Sequence, residues 1–217
     1  MNLIDTDLVS SLISSPSAPL VDRPSADSLA TWLHSRRSAN SMSVTQIPFC
    51  ETTGWKVQPR TGNIEHDSKK FFSVQGLQTR IVSDRTMEWE QPIITQPEIG
   101  ILGIVTRVYK GTRYFLIQAK YEPGNIGLLQ ISPTVQATHS NYSRVHKGKV
   151  QPYLRYFTDT SSSKVLCDRL LSEQSARFYQ KFNRNMIVEV SSDLDLLDNY
   201  YWVTLAQLGQ LYRVNNL

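Results

Sequence analysis

The feature that most constrains the fold is a pair of apolar, β-branched runs joined by a tight link. Residues 99–109 are followed by Lys110-Gly111 and then by residues 113–120. Runs of this length, rich in Val, Ile, Tyr and Phe, read as strands, and a short glycine-containing link between them reads as a hairpin. The middle of the chain therefore predicts an antiparallel sheet. Residues 55–57 and 64–66 flank the turn Thr61-Gly62-Asn63 and predict a second hairpin. Further strands are expected over residues 45–49, 71–82, 128–131 and 186–190. Residues 169–183 predict a helix whose irregular apolar face is Leu170, Leu171, Ala176, Phe178 and Phe182. Residues 199–212 predict a strand and a short closing helix. No internal repeat is present. The sum is a strand-rich α+β domain.

Residues 1–43 differ in composition from the rest, being rich in Ser, Ala and Pro. Residues 5–13 and 25–37 carry short helical patterns, and in the second Leu29, Trp32 and Leu33 fall on one face. This segment is read as an N-terminal helical arm, ordered where its apolar stripe meets a surface, and residues 44–217 as the body. A length of 217 residues suits one domain with a terminal extension. No run of about 18 apolar residues exists, so no membrane span is expected. The net charge of +4 is scattered rather than gathered into a basic patch, which argues against nucleic acid as a partner. Cys50 and Cys167 are far apart and form no CxxC pair, so two buried free thiols and a reducing cytoplasm are expected. The first residues are acidic and lack a basic stretch before an apolar core, so no signal peptide is expected.

Three polar segments, residues 91–100, 118–125 and 132–146, are dense in Gln, Asn, Pro, Ser and Thr. Gln118, Lys120 and Glu122 alternate at the end of an apolar strand and so share one face. A Lys and a Glu two apart on a strand lie about 7 Å apart. Polar groups gathered at a strand end and its loop suit a small-molecule site, and they equally suit a surface salt bridge. The third segment holds His139 and His146 with Ser140, Tyr142 and Arg144 between them. Such groups serve acid–base or nucleophilic chemistry, whereas a lone histidine is more often structural. The spacing is not that of metal ligands. Neither a P-loop, a dinucleotide fingerprint nor a GxSxG elbow occurs.

The same segments resemble the NDP-hexose 2,3-dehydratase family of deoxysugar biosynthesis. The resemblance runs over residues 54–212. It is carried by Gly62-Asn63-Ile64-Glu65-His66, Phe71-Phe72-Ser73-Val74, Trp89-Glu90-Gln91-Pro92-Ile93-Ile94 and residues 96–103. Gln118-Ala119-Lys120, Glu122-Pro123-Gly124-Asn125, residues 132–146, Asn183-Arg184-Asn185-Met186 and Trp202-Val203-Thr204-Leu205 complete it. It implies a Nudix-like mixed β-sheet packed between helices, although the Glu-rich magnesium-binding Nudix box is missing. Family members usually carry two such modules, and this chain resembles the N-terminal one. Lys69 stands where the family usually has glycine.

The resemblance implies a (d)TDP-linked 4-keto-6-deoxyhexose as substrate, a homodimer, and a lyase that needs neither metal nor cofactor. A base removes the C3 proton, acidified by the C4 ketone, and the C2 hydroxyl then leaves with help from an acid. Glu122 or Glu98 is the candidate base, and Lys120 the candidate enolate stabiliser. Tyr142 or His146 is the candidate acid, with His66 a weaker acid–base group. Arg144 and Ser140 suit the diphosphate. Trp89 is a candidate for stacking on thymine or for the core. Gln96, Gln118, Asn125, Thr134, Gln136 and Asn141 are candidate hydrogen-bonding partners of the sugar and base. The competing expectation is a non-catalytic nucleotide-sugar binding module or partner subunit.

Overall fold

The structure, a computed structural model, describes residues 28–39, 41–138, 151–159, 161–191 and 193–211. Among these residues the strands form two sheets. An antiparallel four-stranded sheet joins β1 (Trp55–Val57), β2 (Ile64–His66), β3 (Ser73–Val82) and β4 (Thr86–Thr95) in sequence order. The second, seven-stranded sheet contains β5 (Gly100–Tyr109), β6 (Thr112–Tyr121), β7 (Leu129–Pro133), β8 (Val135–Ala137), β9 (Lys164–Ser172), β10 (Phe182–Glu189) and β11 (Tyr200–Val203). Its spatial order is β11-β6-β5-β10-β9, with β7 also paired to β6 and β8 to β5. Helices α1 (Ser28–Ala39), α2 (Arg155–Thr158) and α3 (Leu205–Leu211) accompany it. The architecture is a strand-dominated α+β fold. No helix among the described residues is long and apolar enough to cross a membrane.

The β5–β6 hairpin forms through Lys110 and Gly111, both at positive φ (48° and 78°). That is the backbone of a turn whose twist matches the flanking strands. The two strands pair only from Thr106↔Phe115 to Tyr109↔Thr112. Beyond that they splay, and a second hairpin enters the fork: β7 pairs with β6 through Ile117↔Pro133 and β8 with β5 through Gly103↔Val135. Thr134, wholly buried between β7 and β8, holds the fork. Its hydroxyl accepts from the Val105 N–H at 2.9 Å and donates to the Leu116 carbonyl. Substituting Thr134→Val leaves both groups buried without a partner. A loss of about 1–3 kcal/mol is expected, measured by urea unfolding. A variant as stable as the parent would show that the fork does not depend on this hydroxyl.

β6 divides two cores by its alternation. Tyr114 and Leu116 face one side with Val105, Phe157, Met186, Val188 and Trp202. Phe115, Ile117 and Ala119 face the other with Leu129, Tyr201 and Val203, closed by Leu29, Trp32 and Leu33 of α1. The apolar stripe predicted for residues 25–37 thus finds its surface on the sheet, and the Trp32 indole donates to the Asp198 carbonyl at 3.1 Å. The helix expected over residues 5–13 lies outside the described residues.

Several expectations are corrected. Residues 169–183 are not a helix: β9 runs to Ser172, a loop follows, and β10 begins at Phe182. The apolar residues there are satisfied by cross-strand pairing, such as Asn183↔Leu171 and Arg184↔Leu170, rather than by one helical face. Arg184 and Asp168, on neighbouring strands, form a two-point ion pair at 2.8 and 2.5 Å. Arg184 holds the Asp168 carboxyl below the usual carboxylate range. Residues 45–49 are not a strand, since residues 41–48 are irregular and Phe49–Glu51 is a single 3-10 turn after Pro48. Cys50 lies on that turn and is exposed, not buried; both cysteines are free. Lys69 has a φ of 53°, a conformation that favours glycine.

Candidate active site

The polar row that ends β6 lies at the wall of a cavity of about 600 Å³. Gln118, Lys120 and Glu122 continue the face of Tyr114 and Leu116, so the apolar core passes into a polar site along one strand. β8 contributes Gln136, β5 contributes Gly100 and Leu102, and Gln96 comes from the segment between β4 and β5. The lining also includes Glu173, Gln174, Phe178 and Lys181 from the β9–β10 loop, with Asn183 of β10.

On the β6 wall Lys120 organises the acceptors. Its ammonium donates to Glu122 Oε1 at 2.9 Å and to Gln136 Oε1 at 3.0 Å. Ser132 Oγ donates to the same Gln136 oxygen at 3.2 Å. The backbone of Glu122 is clamped by the turn after it, its N–H on the Leu128 carbonyl (3.0 Å) and its carbonyl accepting from Asn125 N–H (3.1 Å). The Lys120–Glu122 salt bridge weighed from the sequence forms, and both of its residues line the cavity.

The β9–β10 part of the lining is built by long-range pairing. β10 runs parallel to β5 and sets Asn183 beside Gly100. Asn183 Oδ1 accepts from the Gly100 N–H at 3.3 Å, and its Nδ2 donates to Glu173 Oε2 at 2.6 Å. A Cβ at Gly100 would lie 3.1 Å from that Oδ1 and 3.2 Å from the Ala137 carbonyl, so the close approach requires glycine's small volume. The loop closes on itself through Glu173 N–H on the Lys181 carbonyl (2.9 Å). It is stitched to β4 by Ile94 N–H on Arg177 O and Tyr179 N–H on Ile94 O, both 2.8 Å. Lys181 is only 5% exposed, and its ammonium donates to the Glu98 carbonyl. Burial pushes its pKa below the usual lysine value, against the pull of Glu98 and Glu173.

Of the sequence-derived candidates, Lys120, Glu122, Gln96 and Gln136 line this cavity. Gln118 is buried one step inward, its Oε1 without a hydrogen-bond partner. Asn125 sits in the turn behind Glu122, its side-chain amide donating to the Leu128 carbonyl at 3.3 Å. Thr134 is committed to the fork, and Glu98 offers Lys181 its backbone carbonyl. His66 and Trp89 stand in the four-stranded sheet. His66 packs against Trp55 and Phe71 and shares a 2.8 Å hydrogen bond between Nδ1 and Ser68 Oγ. Trp89 is 42% exposed and donates to Gln91 Oε1 at 2.9 Å, so it is not a core residue. Ser140, Asn141, Tyr142, Arg144 and His146 lie outside the described residues.

Sequence reasoning missed Glu173, Lys181 and Asn183. The helix expected over residues 169–183 absorbed them. The one available signal was the Asn183-Arg184-Asn185 run, unusually polar for the start of a buried strand. Among the described residues no group of three or more His, Cys, Asp or Glu side chains is placed to hold a metal.

Comparison with known proteins agrees with the polar segments. The model of the NDP-hexose 2,3-dehydratase family matches residues 26–217. A dTDP-4-dehydro-6-deoxy-alpha-D-glucopyranose 2,3-dehydratase of Saccharopolyspora spinosa is 45% identical over 186 residues, covering 86% of this chain and 38% of the relative. Proteins of the same description from Amycolatopsis orientalis and Streptomyces violaceoruber are 43% and 41% identical. They share 85% and 86% of this chain and 40% and 42% of their own lengths. The chain therefore spans about two fifths of the length of the curated relatives it matches.

Proposed function

Since this chain belongs to the NDP-hexose 2,3-dehydratase family, we propose that its cavity removes water from a dTDP-linked 4-keto-6-deoxyhexose. Glu122 takes the C3 proton, which the C4 ketone acidifies. Electrons move into C3–C4 and onto the C4 oxygen. They return as the C2 hydroxyl leaves, giving an enol that tautomerises to the 2-deoxy-3,4-diketo sugar. The sequence has no net redox change. Lys120 orients Glu122 and Gln136, and Gln96 and Gln136 present amides to the sugar. Protonation of the departing hydroxyl is assigned to Tyr142 or His146 and diphosphate binding to Arg144 and Ser140. Gln118, Asn125 and Thr134 support the site from behind.

The observation that carries this function is the 45% identity across 86% of the chain to a sugar 2,3-dehydratase. A deuterium experiment tests it. The protein is incubated with dTDP-4-keto-6-deoxyglucose in D₂O, and C3 exchange and product mass are followed. Loss of one water per sugar is the expected result. Neither exchange nor loss, with dTDP still bound, would support the second reading, a non-catalytic nucleotide-sugar binding module.

The finer features belong to the same proposal. The fold is read as Nudix-like, supported by the mixed sheet with its parallel β5–β10 pair and flanking helices. Residues 1–43 are read as an N-terminal, partly helical arm and residues 44–217 as the module, a reading supported by the packing of Leu29, Trp32 and Leu33 of α1 against β6. A homodimer is supported by the edge strand β9, which leaves Leu170 and Leu171 exposed. A cytoplasmic setting is supported by the two free cysteines.

A further inference from the structure

Resting on that reading, we propose that Lys181 is the cation that meets the C4 oxygen of the keto sugar and carries its charge as the C3 proton leaves. Lys181, at the end of the β9–β10 loop, lines the same cavity as Glu122. An ammonium has three donors. One N–H of Lys181 goes to the Glu98 carbonyl, and the ion pairs among the described residues do not include it. Lys120 is differently placed. Two of its donors are taken by Glu122 and Gln136, and the Glu122 carboxylate at 2.9 Å already balances its charge.

The physical case is one of burial and charge. Taking an ammonium out of water is costly unless something rewards it. The fold gives Lys181 one hydrogen bond, to a backbone carbonyl, and the through-space attraction of Glu98 and Glu173, which offsets that cost only in part, since burial still pulls its pKa down. A buried, already oriented cation is worth most where negative charge develops during reaction, since neither water nor reorganisation weakens it. The charged groups nearest it are Glu98 and Glu173, and the Lys120–Glu122 pair lines the same cavity. The two carboxylates beside Lys181 would repel a permanent diphosphate, with its two full charges, more than a single oxyanion that forms only during reaction.

The step balances without a further reactant. The C3–H bond breaks toward Glu122, its electron pair forms C3=C4, and the C4=O pair moves onto oxygen, where Lys181 donates. The pair then re-forms C4=O, C2=C3 forms, the C2–O bond breaks, and the protonated hydroxide leaves as water.

The test uses the whole 217-residue chain as K181M and K181R beside the wild type. C3 exchange, water loss, dTDP affinity and the thermal midpoint are measured. K181M is expected to keep dTDP affinity within about 3-fold, and to hold its midpoint because an apolar isostere removes a buried charge. Exchange and water loss should fall together by roughly 100-fold or more, with KM little changed. K181R, which keeps the charge, should recover part of the exchange and extend activity to higher pH, because guanidinium does not deprotonate there. Exchange within about 3-fold of wild type in K181M would overturn the assignment. So would a K181M midpoint and dTDP affinity that drop together while K181R restores only stability, for that is a structural role. A wild-type chain that neither exchanges nor dehydrates would overturn the function itself, and this assignment with it.

Discussion

Glu122→Gln is expected to abolish C3 exchange and water loss, with turnover down by about 10²–10⁴-fold, while dTDP affinity stays within a few-fold. The amide is nearly isosteric with the carboxylate, and its oxygen still accepts from Lys120, so the 2.9 Å contact and the clamped turn survive. What disappears is the ability to take a proton. Glu173→Gln is the matched control. Glu173 lines the same cavity, but its carboxylate is occupied by Asn183 Nδ2 at 2.6 Å, and an amide oxygen accepts that bond equally. Exchange rates followed by NMR in both variants separate the two carboxylates. Full exchange in Glu122→Gln, or its loss only in Glu173→Gln, would move the base to the other wall.

Phe157→Ala is expected to be the most damaging single truncation, at about 3–5 kcal/mol. Phe157 of α2 is wholly buried, and its ring packs against Gly103 of β5, which has no side chain to meet it. A Cβ at Gly103 would lie 2.4 to 2.7 Å from three atoms of the Phe157 ring. At roughly 2–4 °C per kcal/mol for a chain of this size, the thermal midpoint should fall by about 6–20 °C. Gly103→Ala in the parent should itself cost about 1–3 kcal/mol through overpacking. In the Phe157→Ala background the same change should cost nothing or restore stability, because the added methyl enters the cavity. Additive losses in the double variant would show that the two sites do not touch energetically. β5 carries Gly100 and Leu102 on the cavity wall, so the packing of Phe157 also sets the position of the site.

Much of the site was legible because its first wall is local. The alternation Gln118, Lys120, Glu122 needs only the two-residue period of a strand to put three side chains on one face. The Pro123-Gly124-Asn125 run announced the turn that clamps Glu122. Gln136 could be suspected but not placed. It reaches Lys120 only because a second hairpin enters the β5–β6 fork, and Thr134 reads in sequence as one more polar residue of a loop. β4 was unreadable as a strand for a related reason. Gln91, Pro92 and Thr95 break its pattern, and the whole strand leans on β3 and on the β9–β10 loop rather than on its own hydrophobicity.

By itself, the amino-acid sequence determined the strand-rich fold class, the β1–β2 and β5–β6 hairpins, the apolar stripe of α1 and the Lys120–Glu122 pair. Each follows from turn chemistry or from side-chain periodicity within a dozen residues, where the chain has few alternatives. Only the tertiary structure decided the second wall. Residues 169–183 hold apolar groups in no clean period, so helix and strand are nearly balanced locally, and pairing with β5, some 80 residues away, tips them to strand. That parallel pairing has no local signature, because neither strand carries a turn that names its partner. It is nevertheless what sets Asn183 against Gly100, folds the loop back on β4, and buries Lys181 in the lining of the cavity that Glu122 shares.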